Sequence, residues 1–207
     1  MREIDDLLPQ VMPHAPSCPE PLAIRYLREA AIELATKAKC WKERDSFPAS
    51  APDYEVLIPY EDARVLEIEN ARFNGIKLEP IDATELDDKL PNWDDPTAEE
   101  ATPRYVTQLQ PGTIRLAPRM AGTLSLRLIL VPSLKATQLP DFMIDEHGIE
   151  IGKGALGRML LHPKGDWTNP QLGAMHLAEF QTILARAHRK ALKGQQNAPI
   201  RTKASFV

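Results

Sequence analysis

The chain has no run of eighteen apolar residues, and a membrane-crossing helix needs about that many. Its opening residues, MREIDDLLPQ, are acidic and lack the apolar centre of a secretory leader. These absences point to a soluble protein made in a cytoplasm, with no membrane partner. Cysteine is scarce: Cys18 and Cys40 are the two thiols. They bracket a helix predicted over Pro19–Trp41, which holds them about 30 Å apart, far outside disulfide range. Both are therefore expected reduced. Glycine, at 10, is outnumbered by proline, at 19. The prolines gather between elements, so the connections should be stiff and extended. No large excess of either charge exists, and a net charge of −4 argues against a module that grips nucleic acid through bulk positive charge. HExxH, CxxC, GxSxG and phosphate-loop patterns are missing as well.

What is present suffices for a core. A chain of 207 residues that is 43% hydrophobic suits one large domain or a domain carrying an insertion. Its clearest stretch runs from Gly154 to Leu192 and predicts two helices joined by a polar elbow. Pro163 and Gly165 stop the first helix, Asn169 is placed to cap the second, and Pro170 falls in its first turn, where a missing N–H costs nothing. Leu177, Phe180, Leu184, Ala187 and Ala191 then recur at spacings of three and four as one apolar stripe. Arg186, Arg189, Lys190 and Lys193 lie opposite, near the end where cations complement the helix dipole, and Gly194 supplies a stop. The helix over Pro19–Trp41 carries a matching stripe of Ile24, Leu27, Ala31, Leu34 and Ala38, expected to pack on Leu177, Phe180 and Leu184. Asp141–Leu161 is also apolar and helical, with Gly148, Gly152, Gly154 and Gly157 at a density that predicts close backbone approach or a kink.

Between these helices the periodicity changes. Tyr54–Pro59, Val65–Glu69, Ile76–Ile81, Tyr105–Gln108, Thr113–Leu116 and Leu124–Val131 read as strands, two of them joined through Asn74-Gly75, a strong hairpin signal. Ala83–Leu90 is a short helix candidate with Asp82 as its cap, and an acidic loop follows over 91–103. The fold class is therefore α+β: a discontinuous helical bundle domain (19–45 plus 139–194), an inserted small antiparallel β-sandwich or barrel domain (52–133), an extended lead-in (1–18) and an extended C-terminal arm (195–207). The arm shows no periodicity and ends in Phe206-Val207. The basic stretch from Arg186 to Lys203, with Arg186, Arg189, Lys190, Lys193, Arg201 and Lys203, and the acidic stretch from Asp82 to Glu100 are either solvated surfaces or two sides of a contact between subunits.

Candidate chemistry is thin. His147 and Glu150 stand one helical turn apart beside Asp145 and Glu146, so an acid/base or metal site of a small cytosolic enzyme is the alternative function. Gly152, Gly154 and Gly157 spell GxGxxG, but no clear strand precedes them, which discounts a dinucleotide site. Asp94 and Asp95 have no base nearby in the sequence. No cofactor is expected.

Three segments in order resemble head-to-tail adaptor (connector) proteins of tailed bacteriophages. They are APSCPEPLAIRYLREAAIELATKAKCW, PRYVTQLQPGTIRLAPRMAGTLSLRLILVPS, and LPDFMIDEHGIEIGKGALGRMLLHPKGDWTNPQLGAMHLAEFQTILARAHR. The resemblance implies a helical body with a β insertion, no catalytic residues, and a ring (usually a dodecamer) beneath the portal in the virion neck. Its partners would be the portal protein, a tail or nozzle protein and further copies of the chain, with DNA passing through unbound. It also implies that the arm, through Ile200, Arg201, Lys203, Phe206 and Val207, reaches the portal or a neighbouring subunit.

Overall fold

The computed structural model describes residues 1–49, 55–57, 60–95, 97–163 and 165–194. They form a mixed α+β chain. Contacts divide it into two units: Met1–Cys40 with the chain from Val131 onward, and Trp41–Leu130.

The first unit is built on α1 (Glu20–Ala38), α3 (Asp141–Leu160) and α4 (Pro170–Lys193), which pack on one another. Helix α1 begins at Pro19–Pro21 and buries Leu27, Ala31, Leu34 and Ala38, with Ile24 half-buried at the margin. It stops at Lys39, whose left-handed backbone (φ 51°) ends the helix before Trp41. Asn169 caps α4 by accepting a hydrogen bond from the Leu172 amide (3.1 Å), and Gly194 ends it. Phe180, Leu184 and Ala187 are buried on α4, whereas Leu177 and Ala191 are half-buried.

Helix α3 is the central one. It is buried on most of its circumference, as expected of a helix apolar all round, and its glycines make that possible. A Cβ on Gly154 would lie 2.9 Å from the Phe180 ring and 3.0 Å from Ala30 Cβ; one on Gly157 would lie 2.6 Å from Leu177 Cγ. The glycine density thus serves close approach of α1 and α4 to α3. Arg158 seals the junction. It pairs with Glu33 of α1, donates to the Gly154 carbonyl (2.8 Å) and lies over the Phe180 ring.

The elbow between α3 and α4 is fastened to α1. Trp167 stacks on His162 and donates its indole N–H to the Met159 carbonyl (3.1 Å), while His162 Nδ1 meets the Tyr26 hydroxyl (3.0 Å). The lead-in departs from the extended form expected of it. After β1 (Arg2–Glu3), which pairs with β10 (Gln138–Leu139), the chain winds into 3-10 turns over Ile4–Gln10 and Met12–His14. The reason is an apolar series, Ile4, Leu7, Val11, Ala15 and Cys18, that recurs every three to four residues and is buried.

The second unit holds two four-stranded sheets. One is ordered β2 (Lys42–Ala49), β9 (Gly122–Pro132), β4 (Ala63–Phe73), β5 (Ile76–Lys77). The other is ordered β3 (Glu55–Leu57), β8 (Thr113–Ala117), β7 (Tyr105–Thr107), β6 (Glu79–Pro80). Leu124, Leu126, Leu128 and Leu130 of β9 are buried and alternate with half-exposed Ser125 and exposed Arg127. Asn74 and Gly75 turn the β4–β5 hairpin, both with positive φ (45° and 86°).

Three features of this unit differ from the sequence expectation. Lys42–Ala49, which lies ahead of the expected start of the β domain at 52 and partly within the expected helical segment 19–45, is β2, paired antiparallel along β9 from Lys42↔Ile129 to Ala49↔Gly122. Ile76–Ile81 is two strands, because buried Leu78 is where the chain crosses from one sheet to the other. And β6 pairs parallel with β7, so the unit is not purely antiparallel. The long connection between them, which carries α2 (Ala83–Lys89) capped by Asp82, supplies the crossover that parallel neighbours need. Among the described residues no helix is long and apolar enough to cross a membrane.

Candidate functional site

The acid/base cluster imagined around His147 is taken apart by the helix that carries it. His147 is only 6% exposed on α3, and its Nδ1 meets Glu150 Oε2. Asp145 instead pairs with Arg2 (2.7 Å) and Glu146 with Lys190 (3.4 Å). Successive positions on a helix point 100° apart, so these polar residues face three ways: His147 meets Glu150 within α3, while Asp145 and Glu146 form separate ion pairs that tie α3 to the lead-in and to α4. Among the described residues no three His, Cys, Asp or Glu side chains gather as a metal site.

The other candidates resolve in the same way. Gly152 of the GxGxxG pattern faces Gln10, whose Cβ stands 2.9 Å from where a glycine side chain would begin, and Gly154 and Gly157 face α1 and α4. Asp94 pairs with Arg115, while Asp95 accepts hydrogen bonds from Thr97 that hold its carboxyl below the usual range. Both cysteines are free thiols. Burial pushes Cys40 up to about 11 and raises Cys18 as well, so neither is a thiolate at neutral pH.

What the chain offers instead is surface. Arg186, Arg189, Lys190 and Lys193 stand exposed near the C-terminal end of α4. In the other unit Asp82, Glu85, Asp87, Asp88, Asp94, Asp95, Glu99 and Glu100 are all exposed. This acidic segment is locally held: Leu86 is buried beneath α2, and Trp93 donates to Asp87 Oδ1 (2.6 Å). The arm residues Ile200, Arg201, Lys203, Phe206 and Val207 lie outside the described residues.

A cleft of about 610 Å³ opens in the Trp41–Leu130 unit, between β4 of one sheet and β7–β8 of the other. Seven consecutive residues of β4, Val65–Ala71, line it. Leu78, Ile81, Val106 and Ile114 add apolar surface, and Thr107 and Asn70 add polar atoms. Thr107 is 3% exposed, and neither its hydroxyl nor the Asn70 carbonyl oxygen finds a hydrogen-bond partner. Sequence reading missed this feature. The strands flanking Asn74-Gly75 were visible, but β4 outruns β5 by most of its length, and that mismatch leaves no mark on either strand's pattern.

The family model described as SU10 adaptor protein matches residues 2–203 of the chain. No curated protein matches it.

Proposed function

Because the chain belongs to the SU10 adaptor protein family, we propose that it is a head-to-tail adaptor of a tailed phage. In this reading copies form a ring, with twelve as the expected number, beneath the portal in the virion neck. The ring joins the capsid to a tail or nozzle protein, and DNA passes through its bore. The observation that carries the reading is the family match over nearly the whole chain, which agrees with the three resembling segments.

The finer architecture belongs to the same proposal. The unit of α1, α3 and α4 is the bundle body, and Trp41–Leu130 is a β-sandwich inserted into it. Heterologous contacts close into a ring only at one fixed rotation, so each subunit must be stiff. A glycine-packed central helix and an elbow pinned by Trp167, His162 and Tyr26 suit that requirement. A bore that DNA slides through must not hold phosphates, and a net charge of −4 fits such a conduit.

The arm is the proposed attachment device. Residues 195–207 contain few apolar groups, but Ile200, Phe206 and Val207 gain burial when the portal or a neighbouring subunit supplies the surface. Arg201 and Lys203 then meet acidic groups there. Contacts of this kind gain free energy only where a partner surface supplies them. The test is to mix tailless DNA-filled heads with intact protein or with protein ending at Gly194 and to count completed particles. Intact protein should complete heads, and the truncated form should do so poorly. Failure of intact protein to complete heads overturns the adaptor reading. Equal completion by both forms removes the arm from it.

A further inference from the structure

We propose that the cleft along β4 is a strand-acceptor site, and that its occupant is residues 200–206 of a second copy of this chain. The inference rests on the reading above that copies assemble with one another.

The cleft has the geometry of an open sheet edge. Successive side chains of a strand point to opposite faces, so a cleft that touches seven residues in a row runs along the strand's edge. On the side away from β9, β4 is neighboured by β5, which pairs with Arg72 and Phe73, and the Leu78 amide donates to the Ala71 carbonyl (3.0 Å). Ahead of Arg72 no strand among the described residues lies next to β4 on that side. An edge of this length is a template for pairing with another chain, and proteins usually blunt or cover it. Here the neighbouring wall is apolar, formed by Leu78, Ile81, Val106 and Ile114.

A second observation shows that the cleft lacks something. Thr107 is buried on β7 and its hydroxyl is unpartnered, as is Asn70 Oδ1 on β4. Leaving a buried polar group unsatisfied is unfavourable by an amount comparable to a hydrogen bond. An incoming backbone carries both donors and acceptors and can satisfy both atoms. A purely apolar occupant cannot.

The occupant is identified by pattern, length and charge. Ile200, Thr202, Ala204 and Phe206 alternate with Arg201, Lys203 and Ser205, an alternation that gains meaning only opposite a strand. Seven residues, Ile200–Phe206, are enough to span Val65–Asn70, the cleft-lining part of β4 ahead of the Ala71–Leu78 hydrogen bond. Glu67 and Glu69 stand two apart on β4, the same spacing as Arg201 and Lys203, and opposite charges across strands are favourable. Glu69 also holds Lys42 (2.6 Å) and Arg127 (3.3 Å). Main-chain pairing then gives affinity, and the apolar wall selects the alternate side chains.

The experiment is hydrogen exchange of the full-length chain, read at the Val65, Glu67 and Glu69 amides, which share the open edge with Ala71, across a concentration series. Exchange there should slow by about tenfold or more as copies associate. It should stay fast at every concentration in the double variant Ile200→Asp/Phe206→Asp, and a peptide of the sequence Gln195–Val207 should restore protection to that variant. Thr107→Val gives a second readout. It removes an unsatisfied buried hydroxyl, so the dilute chain should melt no lower than the parent, while peptide uptake weakens by about three- to tenfold. Protection that is independent of concentration, or unchanged in the double variant, overturns the proposal. Ring formation on the portal, scored in the same samples, separates the two readings. Rings with unprotected β4 amides sink only the acceptor site, whereas failure of the intact chain to assemble sinks the adaptor reading.

Discussion

Gly157 lacks a side chain because Leu177 takes its place: a Cβ there would sit 2.6 Å from Leu177 Cγ and 3.0 Å from the Leu177 amide nitrogen, which cannot swing aside. Gly157→Ala should therefore destabilise the chain by about 1–3 kcal/mol in denaturant unfolding, as overpacking does. Gly148→Ala should behave differently. Its Cβ would meet only Leu7 Cδ2, at 3.0 Å, the end of a flexible side chain. The helix propensity gained, about 1 kcal/mol, should leave it neutral or slightly stabilised. The sequence shows that glycine is dense on this helix, but the partner each one faces is a tertiary fact that no local pattern carries. Cys40 makes the other prediction at this scale. Burial raises its thiol from 9.0 to about 11, so folding favours the protonated form. That contribution is complete below pH 9 and is lost as pH rises through about 11. Alkylation of Cys40 at pH 8 should accordingly be slow in the folded chain and fast in denaturant.

Among the elements, α4 was legible almost residue by residue, because a cap, a proline, an apolar stripe and a terminal glycine all agree. Phe180, fully buried at its centre against Gly154, is the test of that packing. Phe180→Ala should lower stability by about 3–5 kcal/mol, and an unchanged melting temperature would remove the packing account. Strand β2 was not legible. KERDSFPA is polar and carries a proline, and it is a strand because β9 offers it an edge, with Pro48 tolerated where no second strand among the described residues needs its N–H. The lead-in was misread for a related reason: its prolines suggested extension, while its apolar spacing of three and four governed. Ion pairing in the first sheet adds a pH dependence. The Lys42 ammonium, then Arg127, holds Glu69 below the ordinary glutamate range. A depressed carboxylate contributes stability above its unfolded value and loses it as pH falls through the folded one. The Trp41–Leu130 unit should thus weaken in the acid range, and Glu69→Gln should flatten that dependence in acid-titrated melts.

For the whole molecule, the α+β class and the adaptor family were both within reach of the sequence, the first from periodicity and the second from three resembling segments in order. The sites were not. His147 with its acidic neighbours looked like chemistry and is one contact within α3, His147 to Glu150, beside two ion pairs to other elements, because sequence adjacency on a helix disperses side chains rather than gathering them. The open edge of β4 was hidden for the opposite reason, since it is defined by a neighbour that ends early. The account stands on a claim about assembly, that identical copies close into a ring on the portal. Its most direct test is negative-stain imaging and native mass measurement of the purified chain mixed with the portal protein of its own phage. The account predicts a closed ring seated on the portal, with a mass increment of twelve chains. A chain that stays monomeric and unbound in that mixture would contradict it.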